Sequence, residues 1–399
     1  MNVLLAGAFP LPTGSAAASR LVNFSFALQA ASVKCCLLGI KTFINTLSDN
    51  STGSVKGIPV ITLNAPFYGP ILNRVFLKTP FVFKKGILLQ FLAKQIHSIA
   101  SSQDCDLVIL YDQDPRLIRA VHKARQHKKW KIIQQYAEYQ LPSDFRYGVL
   151  NPFYRLQKSH INIAPLLSDG GIAISTFLMR KCSRSSAKLP VIIPALADFD
   201  SLPKLNYPSL STFVTLTYLG AGARRDCLKT IVEAVRSLVM RGFQIKLELA
   251  GLRDSAFEKW SAFARMNSFN WLKTRKRISN SEKKDLFEKT DIFLFLRHFD
   301  ISGIAAFPTR LPEFMASGRP VICSRIGDLP KYISAFSIEY VETNKVQEVI
   351  KAMENLILNP EARNKIGSSG AAAAKEAFDY RVYSGLLHSY LHNITDHRV

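Results

Sequence analysis

Apolar residues along this chain gather in short unbroken runs, and the segments between the runs carry a helical period. An unbroken apolar run is what a parallel strand buried on both faces requires. Residues 3–8 form the first such run. The loop Pro10-Leu11-Pro12-Thr13-Gly14-Ser15 follows. Residues 16–31 then read as a helix, because Leu21, Phe24, Leu28 and Ala31 recur on one face. Residues 34–38, 106–111 and 131–135 are predicted strands, the last two separated by a basic helical stretch over 117–129. Residues 171–174 are predicted to close this first array, with Ser175 placed to cap the next helix.

Residues 198–212 break the pattern. They carry Pro, Ser and Asn without a helical period, which is linker composition. The alternation then restarts. Strands are predicted at 213–218, 244–250, 291–296 and 320–324, with helices at 228–240, 281–289, 311–317, 346–358 and 360–378. Two such arrays joined by a linker predict an α/β chain of two doubly wound, Rossmann-like domains facing across a cleft. The expected division is 1–205 and 206–378, with 379–399 a helix packing back on the N-terminal domain.

Composition narrows the function. The net charge of +22, from 52 Lys and Arg against 30 Asp and Glu, attracts anions: nucleic acid, anionic lipid or phosphorylated small molecules. No zinc finger, RNP-like string or Lys/Arg block with interleaved aromatics accompanies that charge, so nucleic acid is not the expected partner. The six Cys are scattered without metal-site spacing and are expected to be reduced thiols of a cytoplasmic protein. The N-terminal apolar run lacks a basic flank and is too short for a signal peptide. No apolar run is long enough to span a bilayer. The stretch 66–99 mixes Phe67, Tyr68, Phe76, Phe81, Phe83 and Phe91 with Arg74, Lys78, Lys84, Lys85 and Lys94. That mixture suits either an anionic membrane surface or a core helix with a solvated Lys face.

The strongest local signal is Phe307-Pro308-Thr309-Arg310-Leu311-Pro312-Glu313-Phe314-Met315-Ala316-Ser317-Gly318-Arg319-Pro320-Val321-Ile322. Thr309 is placed to cap a short helix whose amides, with Arg310, would face a diphosphate. Glu313 lies one turn on, where a carboxylate can take a pair of ribose hydroxyls. Gly318 ends the helix before the next strand. The segment resembles the donor-binding signature of family 4-like GT-B glycosyltransferases, the glycosyl transferases of group 1. A second string, Tyr218-Leu219-Gly220-Ala221-Gly222-Ala223-Arg224-Arg225-Asp226, is similar to that family's first C-domain strand and loop. There a glycine turn precedes a cation that grips the donor diphosphate, a task suited to a planar guanidinium.

What the resemblance implies is a retaining transferase of the GT-B fold. It would move a sugar from a nucleotide sugar to a saccharide or lipid-linked saccharide acceptor, of the surface-polysaccharide kind. Donor binding would fall to Gly14, Ser15, Arg20, Gly220, Arg224, Arg225, Thr309, Arg310, Leu311 and Glu313. Catalysis would fall to Arg225, Arg310 and Glu138, the last in the strand-end loop Gln135-Tyr136-Ala137-Glu138-Tyr139-Gln140. No cofactor or catalytic metal is expected. Asp112-Gln113-Asp114 has a metal-diphosphate spacing, but the resemblance assigns no metal there. The competing reading of residues 14–20 is close helix–sheet packing, and that of Glu138 is a solvated loop.

One departure stands out. Many members carry a Glu-x7-Glu pair, whereas Ala305 stands eight residues before Glu313 and Asp300 is out of register. A non-catalytic subunit that keeps the donor pocket is therefore the alternative to an enzyme. In either case the chain would be cytoplasmic, with the inner face of the membrane as its expected surface.

Overall fold

The structure, a computed structural model, describes residues 1–12, 15–41, 51–64, 81–125, 130–183, 188–202, 213–342 and 345–396. It divides into two compact units. Unit 1 comprises Met1–Leu196 together with Tyr380–Val399, and unit 2 is Ala197–Asp379. The division falls at Leu196, ahead of the expected 205.

Unit 1 is built on eight strands: β1 (Asn2–Gly7), β2 (Lys34–Lys41), β3 (Ser51–Val55), β4 (Ile58–Asn64), β5 (Leu107–Tyr111), β6 (Lys131–Tyr136), β7 (Gly170–Ala173) and β8 (Val191–Ile192). Their order is β3-β4-β2-β1-β5-β6-β7-β8. All neighbours run parallel except the β3–β4 hairpin. The central strand explains itself: Leu4, Leu5 and Ala6 are fully buried, with Val3 opposite Cys35 on one side and Leu107 on the other. The helix Ala16–Ala30 starts where Ser15 accepts the Ala18 amide at 3.1 Å. The C-terminal helix Ser384–Thr395 contributes Leu387, Leu391 and Ile394 to the same core as Val3, Leu5 and Leu107. Gly170 permits that approach: a Cβ there would meet Ile394 Cδ1 at 2.5 Å and the Tyr390 hydroxyl at 2.8 Å. The Tyr390 hydroxyl in turn accepts the Gly171 amide at 2.8 Å.

The Phe- and Lys-containing stretch is corrected in part. Residues 65–80 lie outside the described residues. The helix Phe81–Ser102 buries Leu88, Leu89, Leu92 and Ile96 in unit 1. Lys85, on either reading a solvent- or lipid-facing lysine, instead lies 3.6 Å from Asp112 Oδ1 and 3.9 Å from Asp114 Oδ2. Its charge is neutralised within the fold and is not free for lipid. Among the described residues no helix is long and apolar enough to cross a membrane. The six cysteines are all free thiols.

Unit 2 carries six parallel strands: β9 (Val214–Leu219), β10 (Ile245–Ala250), β11 (Leu272–Thr274), β12 (Ile292–Phe295), β13 (Val321–Ser324) and β14 (Glu339–Val341). The order is β11-β10-β9-β12-β13-β14. The chain steps outward from β9 through β10 and β11, returns to β12, and continues the other way. The reversal lies between β9 and β12, where the connections leave the carboxyl ends in opposite directions, the place at which such sheets bind ligands. The helices Leu228–Met240 and Val346–Leu358 cover the core through Ile231, Val235, Leu238, Val349, Met353 and Leu356.

Candidate functional site

The loop after β9 is held by one buried carboxylate. Asp226 accepts the Tyr218 hydroxyl at 2.7 Å and the Ala223 amide at 2.8 Å, and Arg297 Nε lies 3.1 Å from its other oxygen. The Tyr218 hydroxyl also accepts the Gly222 amide at 3.0 Å. Burial, then the neighbouring Asp226 charge, push that hydroxyl far above its ordinary range, so it serves as a neutral donor. Gly220 is required here, because a Cβ would lie 2.3 Å from the Tyr218 hydroxyl. The His298 amide donates to the Arg225 carbonyl at 3.3 Å and ties this loop to the one after β12. Together these contacts fix the turn Arg224–Asp226, with Arg224 exposed and Arg225 half-buried. The Arg225 guanidinium has no partner among the described residues.

The loop after β12 leads into a short helix, Ile301–Ala305, capped by Asp300, which accepts the Gly303 amide at 2.9 Å and the Ser302 hydroxyl at 2.6 Å. Ala305, at the position of the family's absent first Glu, is fully buried. The helix Leu311–Ala316 follows. Three expectations change there. Thr309 does not cap this helix: the cap position is Arg310, in helical conformation, with no side-chain cap. Leu311 is fully buried and its amide donates to the Pro308 carbonyl at 3.1 Å, so it offers a donor nothing. Pro312 has no N–H, so the helix start is a poor amide cradle for an anion. The attraction falls to Arg310, whose guanidinium is half-buried and without a partner among the described residues. Glu313 is not free. Lys283, from the helix Asn280–Lys289, reaches its Oε2 at 2.6 Å. Lys283 stands thirty positions earlier, and no local motif points to it.

In unit 1, Gly14 lies outside the described residues and Ser15 is the helix cap already noted. Arg20 departs from the expected role. It is 4% exposed and donates to Gln135 Oε1 at 3.1 Å, the Pro194 carbonyl at 2.9 Å and the Ile193 carbonyl at 3.1 Å. Burial lowers its pKa to about 10, which leaves it charged at neutral pH. It clamps its helix to β6 and to the chain beyond β8. Asp114 caps the helix Pro115–Ala124 and pairs with Arg116, so the Asp112-Gln113-Asp114 carboxylates are engaged with Arg116 and Lys85.

Glu138 is half-buried beyond the end of β6, where Gln140 Nε2 donates to its Oε2 at 3.2 Å. It lines a pocket of about 140 Å³ in unit 1, with His160 from the helix Pro152–Leu167 among the other walls. Sequence reading did not single out His160. Burial pulls its imidazole down to about 4 from an ordinary 6.5, so it is neutral at pH 7. The unfolded chain exposes a histidine that takes a proton below about pH 6.5. Stability should therefore be lost as pH falls from there toward 4, by roughly 3 kcal/mol from this group. Urea unfolding of unit 1 at pH 7 and pH 4.5 reads the loss, and His160→Gln should shrink it. An unchanged pH dependence in the variant would acquit His160.

Residues 209–373 match the family model of glycosyl transferases group 1. No curated protein sequence matches the chain. Among solved structures, the chain is similar to sucrose-phosphate synthase from Thermosynechococcus elongatus at 16% identity and TM-score 0.75, covering 98% of each chain. It is similar to HepE from Anabaena, in complex with UDP and glucose, at 14% identity and TM-score 0.69, again over 98% of each chain. A glycosyltransferase from Rickettsia africae aligns over 99% of each chain at 16% identity and TM-score 0.67. The chain has the GT-B fold of these solved structures, and within it residues 209–373 match the glycosyl transferases of group 1.

Proposed function

We propose that this chain moves a sugar from a nucleoside-diphosphate donor, held by unit 2, to a hydroxyl of a saccharide or lipid-linked saccharide acceptor, with retention at the anomeric carbon. The observation that carries the reading is the pair of guanidiniums without a partner among the described residues, Arg225 and Arg310, on the connections leaving β9 and β12 at the sheet reversal. The anomeric carbon–oxygen bond to the diphosphate breaks, the acceptor oxygen bonds to that carbon, and the acceptor's proton passes to the departing phosphate. Negative charge collects on the departing phosphate oxygen, where planar, fixed cations act most strongly. Glu313 is suited to ribose hydroxyls, with Lys283 holding the carboxylate in place. HepE, of the same fold, is known with UDP and glucose, which supports a nucleotide-sugar donor. Retention comes from the family resemblance.

The test is a thermal-shift screen against UDP-, GDP-, CMP- and dTDP-sugars. A donor at a hundred times its dissociation constant should stabilise unit 2 by about 2.7 kcal/mol. Glu313→Ala should weaken the donor that registers by roughly tenfold to a hundredfold, as expected for a lost charged hydrogen bond. Its melting without donor should change little, because Lys283 is left partly solvated. A screen in which no nucleotide sugar shifts the melting, or an unchanged dissociation constant in Glu313→Ala, defeats the reading.

A further inference from the structure

We propose that the connection from β6 to the helix Pro152–Leu167 docks unit 1 on an anionic bilayer through Tyr147, Val149 and Leu150. This surface rests on the acceptor reading above and deepens it, because it favours an acceptor anchored in that bilayer.

Tyr147 is 69% exposed, Val149 57% and Leu150 68%. Single apolar residues on a surface need no explanation, but three within four positions form a patch. The turn that presents them is firmly held. Asn151 caps the helix by accepting the Phe153 amide at 2.9 Å, and its Nδ2 donates to the Arg146 carbonyl at 2.9 Å. Arg155 Nε donates to the Val149 carbonyl at 3.1 Å. Phe145 packs back on Tyr154, with ring centroids 5.9 Å apart. The backbone is thus tied to the helix while three apolar side chains face water. Tyr147 also has a φ of 70°, in the left-handed region that a bulky side chain rarely takes. Such strain persists where surrounding contacts enforce it, and it gathers at functional sites. Here it serves no core, because the ring it presents is exposed.

Charge selects the partner. The Arg146 guanidinium lies over the Tyr147 ring at 5.1 Å, and Arg146 is exposed, as are Arg155 and Lys158 on the following helix. Asp144 is the one carboxylate of residues 142–158, against these three cations. An aromatic ring and aliphatic side chains flanked by cations suit the interface of an anionic bilayer. A second copy of this chain fits poorly. In a two-fold contact the patch would meet itself, which sets Arg146 and Arg155 against their own copies.

Place links the patch to the chemistry. Glu138 stands in the same connection, nearer β6, at the carboxyl end of the sheet where α/β proteins bind ligands. Exposed Phe83 and Ile87 lie one turn apart near the start of the helix Phe81–Ser102. That helix leads into β5 and so begins at the same end of the sheet. A bilayer met at this end brings a lipid-anchored acceptor toward Glu138.

The full chain is sedimented with vesicles of phosphatidylcholine alone and of phosphatidylcholine mixed equally with phosphatidylglycerol, at about 0.1 M salt. Binding to the mixed vesicles should be stronger by about tenfold or more. Tyr147→Ser with Leu150→Ser should weaken it by about tenfold or more, and Arg146→Glu with Arg155→Glu by as much. Melting without vesicles should hold in the first pair, whose side chains mostly face solvent. Should Arg155→Glu unsettle the turn, Arg146→Glu alone reads the charge. Met266→Ser, at an 84% exposed apolar residue of unit 2, should change nothing. A chain of charge +22 can be drawn to anionic lipid over its whole surface. Undiminished binding in both pairs would reveal that general attraction and overturn the surface. So would equal binding to the two kinds of vesicle, or a dimer that the variants abolish in a chain that sediments with no vesicle. Donor stabilisation of unit 2 is read without vesicles, so a chain that binds nucleotide sugar and ignores lipid loses this surface and keeps the transferase.

Discussion

Arg225→Ala and Arg310→Ala should each lower kcat by about a hundredfold to a thousandfold, the usual effect of removing one group that stabilises developing negative charge. Affinity for the nucleoside diphosphate should fall with turnover, because the leaving group is also the product. Neither guanidinium has a partner among the described residues, so the melting of unit 2 without ligand should hardly move. That separation makes the test sharp, since lost activity cannot be blamed on lost fold. The double variant should fall short of the product of the singles if both cations grip one anion. Steady-state rates and calorimetric titration with UDP or GDP supply the numbers. Unchanged diphosphate affinity in both variants would place the diphosphate elsewhere.

Asp226→Ala should do the opposite and strike the fold first. The carboxylate is 6% exposed and serves the Tyr218 hydroxyl, the Ala223 amide and Arg297 at once. Its removal takes the acceptor from the Tyr218 hydroxyl and the Ala223 amide and the carboxylate from the half-buried Arg297, a loss of about 3–5 kcal/mol. Urea unfolding should show unit 2 weakened by that amount, with unit 1 unmoved. Donor binding should fail as well, since the turn carrying Arg225 loses its anchor. Asp226→Asn keeps an acceptor without the charge and should fall between. A loss below about 1 kcal/mol would show that the loop is held by something else, as ordinary surface substitutions are.

The parts of this fold that were legible in the sequence are those whose cause is local. The buried run at 3–8 shows itself because both of its faces are apolar, and β1 occupies Asn2–Gly7. The helices Leu228–Met240, Val346–Leu358 and Pro360–Phe378 occupy the ranges expected for them. Strands at the sheet margins were not legible. β3 is polar and largely exposed, and β11 and β14 are three residues each, too short for any period to register. The same division holds at the site. The strings at 218–226 and 307–322 are contiguous, so their chemistry reads directly. Whether Arg20 is free depends on carbonyls at 193 and 194, and whether Glu313 is free depends on Lys283. Position along a helix carries no information about such distant partners. The Thr309 cap failed for a related reason: Arg310 takes helical angles and moves the helix start past the threonine.

The return of the chain to unit 1 after residue 379 has a consequence for the order in which the protein is made. Leu387, Leu391 and Ile394 complete a core whose other members include Val3, Leu5 and Leu107. A ribosome adds about 5–20 residues per second, so the whole of unit 2 emerges over roughly ten seconds or more while that core stays open. The part of unit 1 made before unit 2 must wait, with apolar surface uncovered, for the helix Ser384–Thr395. Unit 2, whose segments emerge without interruption, is free to fold first. The nascent chain thus returns to an earlier core after making unit 2, and chaperone demand falls on the part of unit 1 made before it.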